Sequence, residues 1–156
     1  MIRAARTQDA TAIAAVWNGI IETTTVTFAS EPKSVAAVTE LIAERPVLVA
    51  ERAGAVAGFA TFGPFRGGSG YRHTAELTVH LTEAARGQGL GRRLVAALEA
   101  EAAGQGVHVL VAAISAENAG ALAFHARLGF EEAGRLAEVG RKFGRWLDLV
   151  LMQKRL

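Results

Sequence analysis

The chain has no cysteine, only three prolines and almost no surplus of charge. Without cysteine it forms no disulfide, no thiolate zinc site and no cysteine nucleophile. Seventeen basic residues face fifteen acidic ones, for a formal net charge of +2. Lysine occurs only at Lys33, Lys142 and Lys154. The arginines are scattered, apart from Arg86, Arg92 and Arg93, so the clustered basic stripe of a nucleic-acid binder is missing. No apolar run approaches the roughly 18 residues of a membrane span. The opening Met1-Ile2-Arg3-Ala4-Ala5-Arg6 lacks the apolar core of a signal peptide. No cluster of His, Asp and Glu has metal-ligand spacing, so no metal is expected. The expectation is a cytoplasmic protein with neither a nucleic acid nor a membrane as partner. Its 156 residues suit one domain, 1–156, with a sizeable core.

What is present alternates between two periodicities. Ile2–Ala5 is a short strand. Thr7 is expected to cap a helix ending near Glu22, with Ile13, Val16, Trp17 and Ile20 at helical spacing. Ser34 caps a second helix, which runs through Glu44 and is stopped by Pro46. Val47–Arg52 and Val56–Phe62 read as strands around an Ala53-Gly54 turn. Gly63–Gly70 is a loop, Thr74–Leu81 a strand, and Gly89–Ala103 a helix with Leu90, Leu94, Ala97 and Leu98 on one side. Val107–Ile114 is a strand buried on both faces, Asn118–Leu128 a helix closed by Gly129, and Trp146–Met152 the last strand. The order β-α-α-β-β-β-α-β-α-β-β predicts an α/β (α+β) domain with a mixed sheet and helices on its faces.

The densest chemical signal is Arg86-Gly87-Gln88-Gly89-Leu90-Gly91-Arg92-Arg93, between a strand and a helix. Its glycines permit backbone conformations a Cβ would forbid. The helix start presents free N–H groups and a positive dipole end, which together attract phosphate. The Walker pattern requires Lys-Ser/Thr after the last glycine, where Arg92-Arg93 stand. The dinucleotide pattern fails at its sixth position, which is Arg92. A third pattern, [Q/R]-x-x-G-x-[G/A], is met by Arg86, Gly89 and Gly91.

That third pattern resembles the coenzyme A pyrophosphate loop of the GNAT acetyltransferases. Further segments resemble one branch of that family, the phosphinothricin and methionine-sulfoximine N-acetyltransferases. They are Thr24-Thr25-Val26-Thr27-Phe28, Tyr71-Arg72-His73-Thr74-Ala75-Glu76 and Lys142-Phe143-Gly144-Arg145-Trp146-Leu147-Asp148. The resemblance implies the GNAT fold, with a mostly antiparallel sheet whose fourth and fifth strands splay. It implies acetyl transfer from acetyl-CoA to the amine of a small amino-acid-like substrate, and a homodimer. It places pantetheine against the backbone at Val79 and Leu81. The pyrophosphate falls on Arg86, Gly87, Gln88, Gly89, Leu90, Gly91 and Arg92, and Asn118 contacts the cofactor. Glu76 becomes the expected base, direct or through a water. His125 stands in the helix where most of the family carries a tyrosine acid. Thr25, Thr27 and Phe28 are expected to line the acceptor pocket, with Arg72 and Lys142 meeting a carboxylate. Two other readings stay open: another amine (a polyamine, an aminoglycoside or a protein N-terminus), or a non-catalytic acetyl-CoA-binding module. The absence of cysteine suits direct transfer with no acetyl-cysteine intermediate.

Overall fold

The computed structural model describes residues 1–156. Its strands are β1 (Ile2–Ala4), β2 (Val47–Arg52), β3 (Ala55–Pro64), β4 (Thr74–Leu81), β5 (Val109–Ser115), β6 (Glu131–Lys142) and β7 (Arg145–Arg155). Its helices are α1 (Ala10–Thr23), α2 (Val35–Glu44), α3 (Leu90–Gly104) and α4 (Ala119–Arg127). All seven strands form one sheet in the order β1-β2-β3-β4-β5-β7-β6. Only β4 and β5 run parallel; every other neighbouring pair is antiparallel. The expected mixed α/β architecture is the one observed.

Local chemistry explains most boundaries. Ser34 Oγ accepts from the Ala37 amide at 3.0 Å, which starts α2 as expected. Ala53 and Gly54 both take positive φ, 51° and 78°, the geometry of a tight primed hairpin turn between β2 and β3. Thr7, by contrast, caps nothing. Thr7–Asp9 forms a single 3₁₀ turn ahead of α1. The organising side chain is Asp9, which accepts from the Arg6 amide at 2.7 Å and takes both Nη atoms of Arg3 at 2.8 and 3.0 Å. A charged fork offers more than a threonine hydroxyl, so the acid and not Thr7 fixes this corner. Strand β6 had no residues assigned from sequence. It is mostly exposed and polar on the sheet edge, so it carries no buried alternation to read.

Two apolar layers cover the sheet. One face packs α3 and α4 on a cluster that includes Leu77, Leu90, Leu94, Leu98, Leu110, Ala112, Ile114 and Phe130. The other packs α1 and α2 on Ile13, Val38, Val47, Val49 and Phe59. No helix is long and apolar enough to cross a membrane.

The bidentate Arg3 pair holds the Asp9 carboxyl below its usual range, ahead of the opposing effect of burial. A depressed carboxyl contributes stability at neutral pH that is lost as pH falls through its folded-state value. Asp9→Asn should therefore lower Tm at pH 7, and the gap to the wild type should close in acid. Thermal melts between pH 7 and pH 3 check this; a gap that persists in acid would assign the effect to packing.

Candidate active site

The parallel pairing of β4 with β5 covers only Thr74↔Val109, Ala75↔Leu110 and Glu76↔Val111. Beyond Glu76 the strands part, while β4 keeps its partner β3 to Leu81 and β5 keeps β7 to Ser115. Hydrogen bonds at the two ends of β4 fix the direction of its main chain. Thr82 N–H donates to Ala57 O on the β3 side, and His73 O accepts from Val109 N–H on the β5 side. By alternation the main-chain groups of Leu77, Val79 and Leu81 face the opening, where β5 has moved away. The opening is thus a strand-shaped gap with peptide groups lacking a strand partner on its β4 edge.

The gap leads toward the start of α3. Gly87 and Gly89 have φ of +74° and +76°, which side chains other than glycine rarely adopt, and open space lies where their Cβ atoms would be. Gly89 is the N-cap of α3 and offers no side-chain cap, so the first-turn amides are free. Arg86 and Arg92 are exposed beside it. Free amides, a helix dipole and arginines suit a diphosphate. Two members of the expected loop have only their backbone to offer a ligand. The Gln88 side chain donates to Ala84 O at 2.9 Å, and Leu90 is buried in the core. Gly91 has a packing role: a Cβ there would meet Phe124 at 3.2 Å and Leu81 at 3.4 Å.

Within the gap lies a cavity of about 270 Å³, lined by Trp17, Val26, Thr27 and Phe28 on the α1 side and by Asn118, Ala121 and His125 on the α4 side. Of the expected site residues, Thr27, Phe28, Glu76, Val79, Asn118 and His125 line it. Glu76 keeps solvent access, yet the surrounding walls strip enough water to raise its pKa. Asn118 caps α4, its Oδ1 accepting from the Ala121 amide at 3.1 Å, which leaves its amide NH₂ without a protein partner. His125 is buried, edge-on to Phe124 and Phe130. Its Nδ1 lies 2.8 Å from Ala121 O. A carbonyl only accepts, so Nδ1 carries the proton and Nε2 holds the lone pair. Burial also lowers the His125 pKa, against the opposing pull of that hydrogen bond. The neutral ring can accept a proton at Nε2 but has none to give there.

Three expected acceptor contacts lie elsewhere. Arg72 is exposed, its Nε directed to His73 Nε2 at 3.2 Å. Thr25 turns to Glu117 Oε2 at 3.0 Å. Lys142 is buried and donates to Thr27 O at 2.9 Å, so its charge holds a loop and does not line the cavity. That loop is anchored at other points too. Asn18 bonds both main-chain groups of Lys33, at 2.7 and 2.9 Å, and Gly140 supplies the space that the Phe28 ring occupies. Sequence reasoning missed Gly140 because an isolated glycine in an exposed strand gives no sign of a distant ring. It also passed over Trp17, His80 and Ser115, all of which line the cavity. His80 packs against Phe59 and Trp17, and burial, with a smaller effect of Arg86, pushes its pKa down to about 4. Its place on the Glu76 face of β4 was the available signal.

Comparison with known proteins bears on this geometry. The acetyltransferase (GNAT) domain family matches residues 2–151. An L-methionine sulfoximine/L-methionine sulfone acetyltransferase of Pseudomonas aeruginosa is 42% identical over 161 residues, covering 99% of this chain and 94% of that protein. A ribosomal-protein-alanine N-acetyltransferase structure from Brucella melitensis superposes with a TM-score of 0.96 at 45% identity, covering 100% of this chain and 99% of that one. A phosphinothricin acetyltransferase from Sinorhizobium meliloti, solved in complex with acetyl-CoA, gives 0.94 at 30% identity, covering 100% and 88%.

Gly140→Ala would drive a methyl into the Phe28 ring and displace the loop. The expected result is a KM for the acceptor raised about tenfold, by roughly the 1–3 kcal/mol of overpacking, with the KM for the thioester nearly unchanged. Steady-state kinetics with each substrate varied in turn check this. Equal effects on both would mean that the loop does not bound the acceptor site.

Proposed function

The chain belongs to the GNAT acetyltransferase family, and from that premise we infer that it transfers acetyl from acetyl-CoA to the primary amine of a small L-amino-acid analogue of the methionine sulfoximine, methionine sulfone or phosphinothricin type. The observation that carries this is the adjacency of two compartments. The strand gap ends on a glycine-rich helix N-terminus, and the cavity that holds Glu76 lies between the parted strands and extends to the α1 side. The first compartment fits acetyl-CoA: free β4 peptide groups at Val79 and Leu81 for pantetheine, and Arg86, Gly87, Gln88, Gly89, Leu90, Gly91 and Arg92 around the diphosphate. The second fits a small amine. The names of the Pseudomonas and Sinorhizobium relatives support the amino-acid class.

Residue roles follow from chemistry. An acceptor ammonium has no lone pair, and Glu76, its pKa raised by desolvation, would remove its proton directly or through a water. The amine nitrogen then bonds to the thioester carbonyl carbon, and the carbon–sulfur bond breaks. A free β4 amide would donate to the carbonyl oxygen as charge develops on it. The leaving thiolate must gain a proton. His125 can supply one only after Nε2 has taken it up, so we assign it a relay and not a resident acid. Asn118 has its amide NH₂ available to the cofactor.

The reading extends to a single acetyltransferase domain over 1–156, a cytoplasmic setting where the thioester is found, and a homodimer. Support for a second copy is the row of exposed apolar side chains on the β6–β7 hairpin, Leu136, Val139, Phe143 and Trp146. The Brucella relative's name raises the protein N-terminus as an alternative acceptor. The loop pinned over a cavity of this size favours a free amino acid.

Thiol release from acetyl-CoA should be seen with methionine sulfone, methionine sulfoximine or phosphinothricin. It should be absent with spermidine, kanamycin and an alanyl peptide. Turnover confined to the second group overturns the acceptor class, and tight cofactor binding with no turnover overturns the enzyme. Glu76→Gln should cost about 10²–10⁴-fold in kcat at pH 7. It should also remove an acid limb whose midpoint lies above the usual carboxylate range; an unchanged profile excludes Glu76 as base. Gly89→Val should raise the KM for acetyl-CoA about tenfold or more, since a β-branched residue resists positive φ and narrows the anion cradle. Unchanged affinity would make the loop a structural turn.

A further inference from the structure

Ser115 is the last residue of β5 and only 2% exposed. Its Oγ is the one buried side-chain oxygen or nitrogen without a hydrogen-bond partner. Its main chain is in use, since Ser115 O accepts from the Asn118 amide at 2.9 Å. The idle group is the hydroxyl alone, and Ser115 lines the cavity. A buried hydroxyl with no partner is uncommon, and one that lines a binding cavity is explained when a ligand completes it. Alternation along β5 sets Leu110, Ala112 and Ile114 in the α3 core, so Val111, Ala113 and Ser115 face the opposite side. That is the face of Glu76, Thr78 and His80, where the acceptor lies, and not the core face of Val79 and Leu81.

The charge of the cavity limits what can meet this hydroxyl. The ionisable residues lining it are Glu76, His80 and His125, and burial holds both histidines toward the neutral form. The nearby cations are committed elsewhere. Lys142 is on Thr27 O, Arg145 on Glu117 and Lys33 over the Trp17 ring, while Arg72 is exposed beside His73 and Arg86 is exposed beside the start of α3. An anionic head group would enter a half-enclosed space with a carboxylate and no counter-charge. A neutral oxygen meets no such penalty and can take the serine proton. The α-carboxylate is common to all the amino-acid acceptors and cancels in the comparison.

We propose that Ser115 determines acceptor specificity by donating its hydroxyl proton to the neutral sulfonyl-type oxygen of the acceptor's side-chain head group, so that sulfones and sulfoximines are preferred to phosphinates. This rests on the amino-acid acetyltransferase reading above and selects within it. The test compares L-methionine sulfone, L-norleucine and L-phosphinothricin with the wild type and Ser115→Ala. The wild type should favour the sulfone over phosphinothricin by about tenfold or more in kcat/KM. Ser115→Ala should reduce the sulfone-to-norleucine ratio of kcat/KM about tenfold, the scale of one lost hydrogen bond to a buried group. The KM for acetyl-CoA should stay fixed. The ligand-free variant should melt no lower than the wild type, because no protein partner is lost. Ser115→Thr keeps the hydroxyl and should retain the sulfone preference. A wild-type preference for phosphinothricin, an unchanged ratio in Ser115→Ala, or a loss carried by the acetyl-CoA KM overturns this proposal alone. Failure of the wild type on every amino acid overturns the parent reading and this one together.

Discussion

The molecule turns on a strand pair that stops early. After Glu76 opposite Val111, β4 and β5 have no further bonds to each other. Unpaired peptide groups inside a protein are costly, so such a gap persists only where something else satisfies them. Each strand is held in place by its other neighbour, β4 by β3 and β5 by β7, which keeps the two edges apart. The separation creates the slot, exposes the amides of one edge and places two chemically distinct faces around a single opening. The glycine-rich turn then continues the β4 edge into the dipole of α3.

The two faces divide the work. The α3 and α4 side is a continuous apolar layer, into which Leu81, Gly91 and Phe124 fit closely. It sets the position of the helix whose N-terminus meets the anion. The cavity draws its titratable groups from both faces, Glu76 and His80 from the α1 side and His125 from α4, and is roofed by residues 24–33. Desolvation acts in opposite senses on the groups there, raising Glu76 while lowering His80 and His125. Loss of water favours the neutral form of each, which makes the Glu76 carboxylate a stronger base and leaves the histidine rings as proton acceptors.

Much of this was legible in the residues. Periodicity and punctuation gave the order of elements, because the α3 stripe and the nearly unbroken apolar run of β5 each satisfy only one geometry. The glycine-rich turn and Glu76 carry chemistry that residue type and neighbours reveal. Long-range partnership was not legible. Lys142 was read as a carboxylate ligand because a lysine in a matching segment looks available; only the fold shows its ammonium on a carbonyl 115 residues away. The partners of Arg72 and Thr25 are equally invisible in the sequence. Ser115 gave no sign at all, since a serine at a strand end is unremarkable until its hydroxyl proves to have no partner.

The roof of the cavity has a consequence for how the molecule comes into being. Its fastenings join Thr25 to Glu117 and Thr27 to Lys142, across 92 and 115 residues of chain. The wall at Ser115 is braced by β7, near the far end of the sequence. Contacts of such separation form late, after local helices and hairpins have collapsed. The cradle at the start of α3 lies close in sequence to β4, whereas the acceptor wall depends on the last strand of the sheet. Loss of residues 145–155 would therefore remove the brace behind Ser115 and the only partner of β6 together.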